Sequence, residues 1–395
     1  MTAYDAVVVG AGPAGSAAAA VLAAAGRRVV LLEKDRFPRP KVCGEFLSGG
    51  ARGDLERLGV LAALEIRAER IERGFVHLPG GRSVPFDLPV AALGISRFHL
   101  DDLLARRAAG LGADGRYGAR VTRFERVPGA VLRVRLASGG REEILEARGV
   151  VGAWGRWDAL DRGLRRGFLA GRSRFFGWNR DFVGDTDRLA GQVHLFLFSG
   201  GYCGLSRVED GAVNLAGVIS ERARRKLGSG WDAVVAHARR TSGAFDRALA
   251  GLREGPVGFL GVGPVFFTAK PPVEDGMLMA GDAAGVIDPF SGEGQAAALA
   301  SGILSAEMLD QGLGGRIAME AVAPAYALAW KRRFARRFGW GSALRRLMLS
   351  PAAGNVAARL AGERLVRFAM ERMGGAVVGK QRNENGIPRA CGPSG

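Results

Sequence analysis

Three glycines and one acid near the start of the chain have the spacing of a diphosphate site. Gly10, Gly12 and Gly15 form the pattern G-x-G-x-x-G, and Glu33 ends the next apolar run. The first glycine permits a tight turn, the second lets a diphosphate approach the backbone, and the third lets a helix pack closely. The Glu33 carboxylate can accept hydrogen bonds from ribose hydroxyls. The pattern predicts a dinucleotide site; the alternative is a glycine-rich turn in an ordinary α/β protein.

A strand, a helix and a second strand must hold these residues. Residues 6–9 and 29–32 are apolar, and the stretch between them is rich in small residues. A helix that follows the glycines presents free N–H groups and a partial positive charge to phosphates. We therefore expect Pro13 and Ala14 at the helix start, and Lys34 after the acid, to contact the cofactor as well.

A second glycine-rich segment lies far along the chain. A short apolar strand ends at Gly281 and Asp282, and the turn Gly292-Glu293-Gly294-Gln295 precedes a helix. An aspartate at a strand end can bind a ribityl hydroxyl, and N–H groups at a helix start can receive a polarised flavin oxygen. The alternative is a strand–turn–helix with a capping aspartate. Paired with the first motif, the segment predicts FAD.

Together the motifs GAGPAG…E and GDAAGVIDPFSGEG resemble the FAD-dependent oxidoreductases with the para-hydroxybenzoate hydroxylase type of fold. Within that group, residues 39–45 (RPKVCGE) resemble the K-x-C-G segment of the geranylgeranyl reductase branch. The resemblance covers residues 4 to about 307. It implies FAD, an α/β fold whose Rossmann-like domain is interrupted by an antiparallel-sheet substrate domain, a helical C-terminal tail, and a lipophilic or aromatic substrate.

The domain division follows from this resemblance and from the strand and helix patterns. Residues 257–269 are expected to form a strand that leads back to the first domain. The predicted units are an FAD-binding domain over 1–73, 90–165 and 270–312, a substrate domain over 74–89 and 166–269, a helical region over 313–380 and a flexible tail over 381–395.

Further cofactor contacts come from the resemblance. Arg97 matches the start of the family's R-x-x-L/F-D-x-L-L helix, which implies a contact between its guanidinium and the FAD diphosphate. The alternative is a surface arginine in a capping region. Val121 matches the backbone position near adenine. Trp154 replaces the aspartate of the aromatic hydroxylases' G-A-D-G segment, so NADPH use by that route is not carried over, and we expect Trp154 to pack against cofactor or substrate.

Lys41, Cys43 and Gly44 are expected beside the flavin ring. Gly44 permits close backbone approach, and Cys43 is a candidate soft contact or proton donor whose thiolate Lys41 would favour. The alternative is that Cys43 is a small buried hydrophobe. No histidine stands at catalytic spacing from Cys43, so the sequence does not indicate a nucleophile.

Alternating residues of a later strand predict the wall of a substrate pocket. His194, Phe196 and Phe198 share one face, and Tyr202 begins the next strand. We expect an apolar cavity with Tyr202 or His194 as polar anchor; the alternative is the core face of a sheet. The reductase branch usually carries Y-x-W-x-F-P here, and this motif is absent, so a polyprenyl substrate is not secured.

Composition excludes several classes of protein. The chain has 395 residues, 48% of them hydrophobic, which suits two domains with sizeable cores. Its three cysteines lie far apart and no C-x-x-C or histidine cluster occurs, which favours a reducing compartment without a metal site. No secretory signal or run of about 18 apolar residues is present, so we expect a cytoplasmic protein.

The net charge of +17 comes almost wholly from arginines spread along the chain, and no nucleic-acid module is visible. Residues 331–348 concentrate basic residues, with Phe334 and Phe338 as aromatic anchors. This segment is a candidate for peripheral contact with an anionic membrane or for docking of an acidic carrier protein. The alternative is a helix with a solvated basic face.

These observations predict an FAD-dependent oxidoreductase that acts on a hydrophobic small molecule. The resemblance implies reduction of a C=C bond by flavin hydride, with Cys43 or Tyr202 as candidate proton source. The alternatives are a monooxygenase acting on an aromatic or polyketide substrate, a flavin halogenase (whose W-x-W-x-I-P segment and catalytic lysine are not seen) and a non-catalytic flavin or lipid carrier. NAD(P)H, a ferredoxin and a separate flavin reductase are all open as electron donor.

Overall fold

The first strand–helix–strand unit forms as its apolar runs predict. A strand over Thr2–Val9 leads into a helix over Pro13–Ala24, and a second strand covers Val29–Glu33. The helix is built mainly of buried small residues, so it packs closely against its neighbours. Gly15 marks the closest approach, because a Cβ atom there would lie 1.7 Å from the Gly10 carbonyl oxygen.

The computed structural model describes residues 2–349, except residues 80, 128–130, 172, 174 and 229. The strands of this part are Thr2–Val9 (β1), Val29–Glu33 (β2), Phe46–Leu47 (β3), Glu69–His77 (β4), Ser83–Gly94 (β5), Asp114–Tyr117 (β6), Ala119–Val127 (β7), Val131–Ser138 (β8), Arg141–Gly152 (β9), Phe175–Val183 (β10), Gln192–Phe198 (β11), Gly201–Arg207 (β12), Val213–Ser220 (β13), Arg253–Glu254 (β14), Leu260–Val262 (β15), Val273–Glu274 (β16) and Met277–Met279 (β17).

The α-helices of the same part are Pro13–Ala24 (α1), Arg52–Arg57 (α2), Leu61–Arg67 (α3), Arg97–Gly110 (α4), Ala159–Gly163 (α5), Glu221–Leu227 (α6), Trp231–Thr241 (α7), Gly243–Leu249 (α8), Gly294–Leu313 (α9) and Met319–Leu349 (α10). Helix α1 packs against both α4 and α9.

The described strands form two sheets of different character. The first has the order β16-β17-β9-β1-β2-β6, and its run from β17 to β6 is parallel. Strands β7 and β8 extend antiparallel from β9. The second sheet has the order β14-β10-β13-β12-β11-β4-β5-β3 and is antiparallel except where β4 meets β11. The predicted α/β fold class is confirmed, with a Rossmann-like sheet, a largely antiparallel second sheet and C-terminal helices.

The segment 257–269 differs from its prediction as a strand. Within it Leu260–Val262 pairs antiparallel to β10, and Ala269 forms an isolated antiparallel bridge with Gly285. Pro264 has no N–H group to donate to a ladder, which explains why the strand ends before it. The β4–β5 hairpin extends beyond residues 74–89, and the division into domains stays a prediction. The end of the helical region and the tail over 381–395 lie outside the described residues.

Trp330 and Phe334 of α10 face the protein interior. Trp330 and Phe334 are buried, and the Trp330 ring lies 5.5 Å from the Phe334 ring and 5.7 Å from that of Phe338. The proposal of aromatic membrane anchors is therefore corrected, because these rings already pack against the core. Lys331 and Arg332 are exposed, so a basic face remains. Among the helices described here, none combines the length and apolar character needed to cross a bilayer.

Candidate functional site

Two neighbouring cavities meet at the carboxyl ends of β1, β2 and β9. One has a volume of about 630 Å³ and is lined by Gly10, Glu33 and Val121 among others; we call it the nucleotide cavity. The other, about 250 Å³, lies between the first sheet and the second, and we call it the apolar cavity. Both are lined by Gly12, Val42, Arg97, Ala153, Gly155, Arg156 and Asp282. The two distant sequence motifs therefore border one continuous cleft.

The three glycines of the first motif differ in what surrounds them. Gly10 has φ +100° and a Cβ atom there would lie 2.4 Å from the Ala153 carbonyl oxygen, so its role is in chain packing, as is that of Gly15. At Gly12 the nearest described atom to an added Cβ is Arg97 Nη2, at 3.6 Å. This space, at the start of α1, is open to a diphosphate, and the residues present fit that group.

The acid at the end of β2 is buried in the nucleotide cavity. Glu33 accepts hydrogen bonds from the Ala11 N–H at 3.0 Å and from Arg39 Nη2 at 3.0 Å. Arg39 also donates to the fully buried Asp101, at 2.9 Å. Because these bonds hold the Glu33 side chain, its carboxylate has a fixed position at the cavity wall.

Arg97 presents a fixed positive charge at the junction of the cavities. Its Nε and Nη2 each donate to the Asp101 carboxylate at 2.7 Å. Burial alone would lower the pKa of Arg97, but the Asp101 carboxylate outweighs burial and raises it. The guanidinium therefore stays charged in front of Gly12.

The remaining predicted residues of the nucleotide cavity lie on its rim and wall. Val121 on β7 is buried and lines the cavity. Lys34 Nζ forms an ion pair with Asp158 at 2.6 Å. Trp154 also lines the cavity, and its Nε1 donates to Asp161 at 3.1 Å, which fixes the indole where the aromatic hydroxylases carry an aspartate.

The second motif lines the apolar cavity together with Pro13 and Ala14 of α1. The residues it contributes are Gly281, Asp282, Gly292, Gly294 and Gln295. Gln295 is buried, and its Oε1 has no hydrogen-bond partner among the described residues. A buried amide oxygen without a partner costs about 1–3 kcal/mol, and an N–H or O–H group of a bound cofactor would satisfy it. This orphaned acceptor fits a flavin in the cleft.

Two titratable groups that the sequence did not single out support these loops. Buried Lys270 donates from Nζ to the Asp282 carbonyl oxygen at 2.7 Å and to that of Arg156, and burial lowers the pKa of Lys270 to about 8. Glu45 accepts from the Arg97 N–H at 2.9 Å, and burial raises the pKa of Glu45 to about 8. Lys270 belongs to no local motif, so no sequence signal marks it, whereas Glu45 ends the RPKVCGE segment and was assigned no role of its own.

Cys43 lines the apolar cavity, with its sulphur facing donors from three segments. Sγ accepts from the Glu45 N–H at 3.4 Å and from Gln295 Nε2 at 3.4 Å, and the Arg97 guanidinium lies beside it. The predicted influence of Lys41 is corrected, because Lys41 Nζ pairs with Asp35 at 3.0 Å. The cation beside Cys43 is Arg97, brought there by α4.

The apolar cavity has a floor of small residues from the second sheet. Gly177, Gly204 and Ala216 lie on adjacent strands and line it, with Val193 and Leu195 beside them. Aromatic side chains complete its wall, namely Phe86, Trp178, Phe267 and Phe290. Tyr202 also lines this cavity, and its hydroxyl donates to buried Asp288 Oδ1 at 2.8 Å.

His194, Phe196 and Phe198 lie on the opposite face of β11 from this cavity. Phe196 and Phe198 are buried in a second core, where the Phe196 ring lies 5.1 Å from that of Phe245 on α8. The prediction chose the wrong face because both faces of this sheet are covered by apolar groups, and alternation alone does not tell them apart. Val193 and Leu195 occupy the face of β11 that lines the apolar cavity.

His194 instead pairs with the buried His77 and is itself half-buried. The His77 Nε2 and His194 Nδ1 atoms are 3.0 Å apart, and His77 Nδ1 lies 2.7 Å from Ser83 Oγ. Burial lowers the pKa of each ring from 6.5 to about 4, assisted by Arg247 at His77 and by His77 at His194. The folded state therefore holds the pair neutral.

This pair is expected to make thermal stability depend on pH. Between about pH 4 and pH 6.5 the unfolded rings bind more protons than the folded ones, so Tm should rise with pH through this window. The double variant His77→Phe/His194→Phe should flatten that slope. Tm measured by circular dichroism at half-unit pH steps tests this; equal slopes for the native protein and the variant would contradict it.

Residues 3–178 match the family model described as FAD binding domain. The chain is 29% identical over 400 residues to a menaquinone reductase from Mycolicibacterium smegmatis, covering 95% of this chain and 93% of the relative. It is 28% identical over 346 residues to digeranylgeranylglycerophospholipid reductase 2 from Methanopyrus kandleri, covering 85% of this chain and 84% of the relative.

Solved structures with the same fold include two kinds of protein. A flavin-dependent brominase superposes with a TM-score of 0.80 at 20% identity, covering 95% of this chain and 94% of that one. A geranylgeranyl bacteriochlorophyll reductase-like protein from Thermoplasma acidophilum superposes with a TM-score of 0.74 at 21% identity, covering 94% and 92%. At this level of identity the likeness shows the fold.

Proposed function

We propose that this chain is an FAD-dependent oxidoreductase of the geranylgeranyl reductase-like branch, with the para-hydroxybenzoate hydroxylase type of fold, and that it reduces a C=C bond of a hydrophobic small molecule. One observation carries the proposal: the cavity that adjoins the nucleotide cavity at Gly12 and Asp282 is walled by apolar and aromatic side chains of the second sheet. Two relatives are named as reductases of a menaquinone and of a digeranylgeranyl lipid, which supports an isoprenoid substrate class.

We propose that residues of both cavities hold FAD. Glu33 would bind the adenosine ribose, Gly12 and Arg97 the diphosphate, Asp282 the ribityl chain, and the turn before α9 the ring. The further contacts proposed are Gly10, Pro13, Ala14, Lys34, Lys41, Cys43, Gly44, Val121, Trp154, Gly281, Gly292, Gly294 and Gln295. When bound and reduced, the cofactor would supply a hydride, which is one proton with two electrons, to the double bond.

The chain's own contribution is to exclude water, to orient the substrate and to deliver a proton. The apolar wall removes water from the reacting carbon atoms. Cys43 Sγ or the Tyr202 hydroxyl would supply the second hydrogen as a proton. The Tyr202 hydroxyl donates its hydrogen to Asp288, so this hydrogen bond must break before Tyr202 can protonate a substrate. Cys43 Sγ only accepts hydrogen bonds from its neighbours, so its own hydrogen is not engaged in either of these bonds.

The runner-up is a monooxygenase that hydroxylates an aromatic or polyketide substrate. The same apolar cavity would admit such a ring. A monooxygenase requires O₂ for its reaction, whereas a purely reductive reaction proceeds without O₂. The electron donor is proposed to be NAD(P)H or a protein reductase, and the exposed basic face of α10 is proposed to contact an anionic membrane.

Anaerobic single-turnover measurements test the function. Photoreduced holoprotein is mixed with a polyprenyl lipid or a menaquinone, and the return of flavin absorbance is followed with product analysis by mass spectrometry. We expect reoxidation without O₂ and a product heavier by two hydrogens, with fragmentation that places both hydrogens on the polyprenyl chain and not on a quinone ring. Substrate-independent reoxidation, or product formed only in air and carrying one oxygen atom, would contradict the reductase proposal and favour the monooxygenase.

Filling the apolar cavity is expected to impair substrate binding alone. A Cβ atom at Gly204 would meet Leu195 Cδ2 at 3.4 Å, an ordinary contact, so a longer side chain projects into the cavity. Gly204→Leu should raise KM at least tenfold and leave the FAD content unchanged, whereas Gly204→Ala should stay close to native. Steady-state kinetics with the reduced lipid as product checks this; an unchanged KM for Gly204→Leu would place the substrate elsewhere.

A further inference from the structure

The segment that carries Cys43 connects the two sheets without regular structure of its own. Residues 34–45, all of them described, lie between β2 of the first sheet and β3 of the second and contain no helix or strand. Cys43 nevertheless lines the apolar cavity, and its neighbour Val42 lines both cavities. Side chains from elsewhere in the fold must therefore hold this segment in place.

Two buried asparagines of the second sheet hold it from one side. Asn214 Nδ2 on β13 donates to the Cys43 carbonyl oxygen at 2.9 Å, and Asn179 Nδ2 on β10 donates to Asn214 Oδ1 at 3.2 Å. A carbonyl oxygen only accepts, so Asn214 must turn its N–H group toward Cys43 and its oxygen toward Asn179. The donors therefore run in one order, from Asn179 to Asn214 and from Asn214 to the Cys43 carbonyl oxygen.

The cysteine is held from the other side through its sulphur. Gln295, at the start of α9, donates from Nε2 to Cys43 Sγ at 3.4 Å. The carbonyl oxygen therefore bonds to the second sheet while the sulphur bonds to a helix that packs on the first. Asn179 and Asn214 are 5% and 2% exposed, which shields their bonds from competing water.

We propose that Asn214 is a positioning residue that fixes Cys43 at the wall of the apolar cavity. Its bond to the Cys43 backbone sets where the sulphur stands, and this bond does not require Asn179, whose amide only satisfies the Asn214 oxygen. Without Asn214 the Cys43 carbonyl oxygen loses its described side-chain donor, while the adjacent Val42 carbonyl oxygen keeps its bond from Arg156 Nη2, so we expect the Cys43 peptide itself to shift. The consequence for turnover rests on the proposed function; the consequence for the position of Cys43 does not.

Alkylation of cysteine in the holoprotein tests the position directly. Iodoacetamide labelling followed by peptide mass spectrometry reports Cys43 and the fully buried Cys203 separately. Asn214→Leu removes the donor at similar volume, and we expect at least a fivefold faster alkylation of Cys43 with Cys203 unchanged. Asn179→Leu is the matched control, because it removes a buried amide of the same face and keeps the bond to Cys43; its rate should stay within twofold of native.

The outcomes separate positioning from general loosening. A Cys43 rate in Asn214→Leu equal to that of native protein overturns the proposal, as does an equal rise in Asn179→Leu. If Asn214→Leu also speeds alkylation of Cys203, the double variant Asn179→Leu/Asn214→Leu is measured, because it leaves no unpaired amide between the strands. Faster alkylation of Cys43 alone in the double variant supports the proposal, and equal acceleration of both cysteines overturns it. In turnover we expect kcat about tenfold lower with KM within twofold. A native protein without reductase activity would refute the proposed function and leave the alkylation result valid.

Discussion

Gly12→Val is expected to give a folded, colourless protein with at least a 100-fold weaker affinity for FAD. The backbone at Gly12 is extended, with φ −78° and ψ −174°, so a β-branched residue is compatible with it. Outside the two neighbouring residues, the nearest described atom to its Cβ is Arg97 Nη2 at 3.6 Å, an ordinary contact, so we expect the fold to be kept. The two added methyl groups instead occupy the space proposed for the diphosphate. A 100-fold loss corresponds to about 2.7 kcal/mol.

The measurements are the ratio of FAD to protein after purification, titration calorimetry with FAD, and circular dichroism for the fold. Gly53→Val is the matched control, because Gly53 lies in α2 with no described atom within 4 Å of its Cβ. It should remain yellow. Gly10 and Gly15 are unsuitable for this test, since a Cβ at either would overlap backbone atoms. A Gly12→Val protein that keeps one FAD per chain would refute the proposed diphosphate site.

Cys43→Ala is expected to lower kcat for reduction of the double bond about 100-fold with FAD binding intact. Cys43 lines the apolar cavity beside the Arg97 guanidinium and Gln295, and removal of a proton donor typically costs 10²–10⁴-fold in rate. KM should change by less than threefold, because a single small side chain contributes little to a large apolar wall. Stopped-flow and steady-state kinetics at one pH measure both parameters.

Tyr202→Phe distinguishes the two proposed proton donors. This variant keeps the ring that lines the cavity and removes the hydroxyl bonded to Asp288. We expect a loss of less than tenfold if Cys43 is the donor. A near-native Cys43→Ala together with a 100-fold loss in Tyr202→Phe would transfer the role to Tyr202. Photoreduction of the flavin, which needs no substrate, should be unchanged in both variants.

Local motifs predicted the cofactor site more completely than the substrate site. The stretch from Gly10 to Glu33 specifies a strand, a turn and a helix within a few residues, so its geometry hardly depends on the rest of the chain. The same is true of Asp282 and the turn before α9. The assignments made for Cys43 and His194 depended on neighbours from other elements. The sequence named the wrong cation beside Cys43, and it placed His194 on the wrong face of β11.

The sequence by itself determined the α/β fold class and the kind of cofactor, because short-range patterns of glycines, apolar runs and acids encode both. Only the tertiary structure decided that Arg97 rather than Lys41 lies beside Cys43, that Val193 and Leu195 rather than His194 and Phe196 face the cavity, and that Asn214 bonds to the Cys43 backbone. Alternation along a strand separates two faces but does not say which face meets a cavity when both are buried. Contacts between residues more than 100 positions apart arise only when the sheets pack.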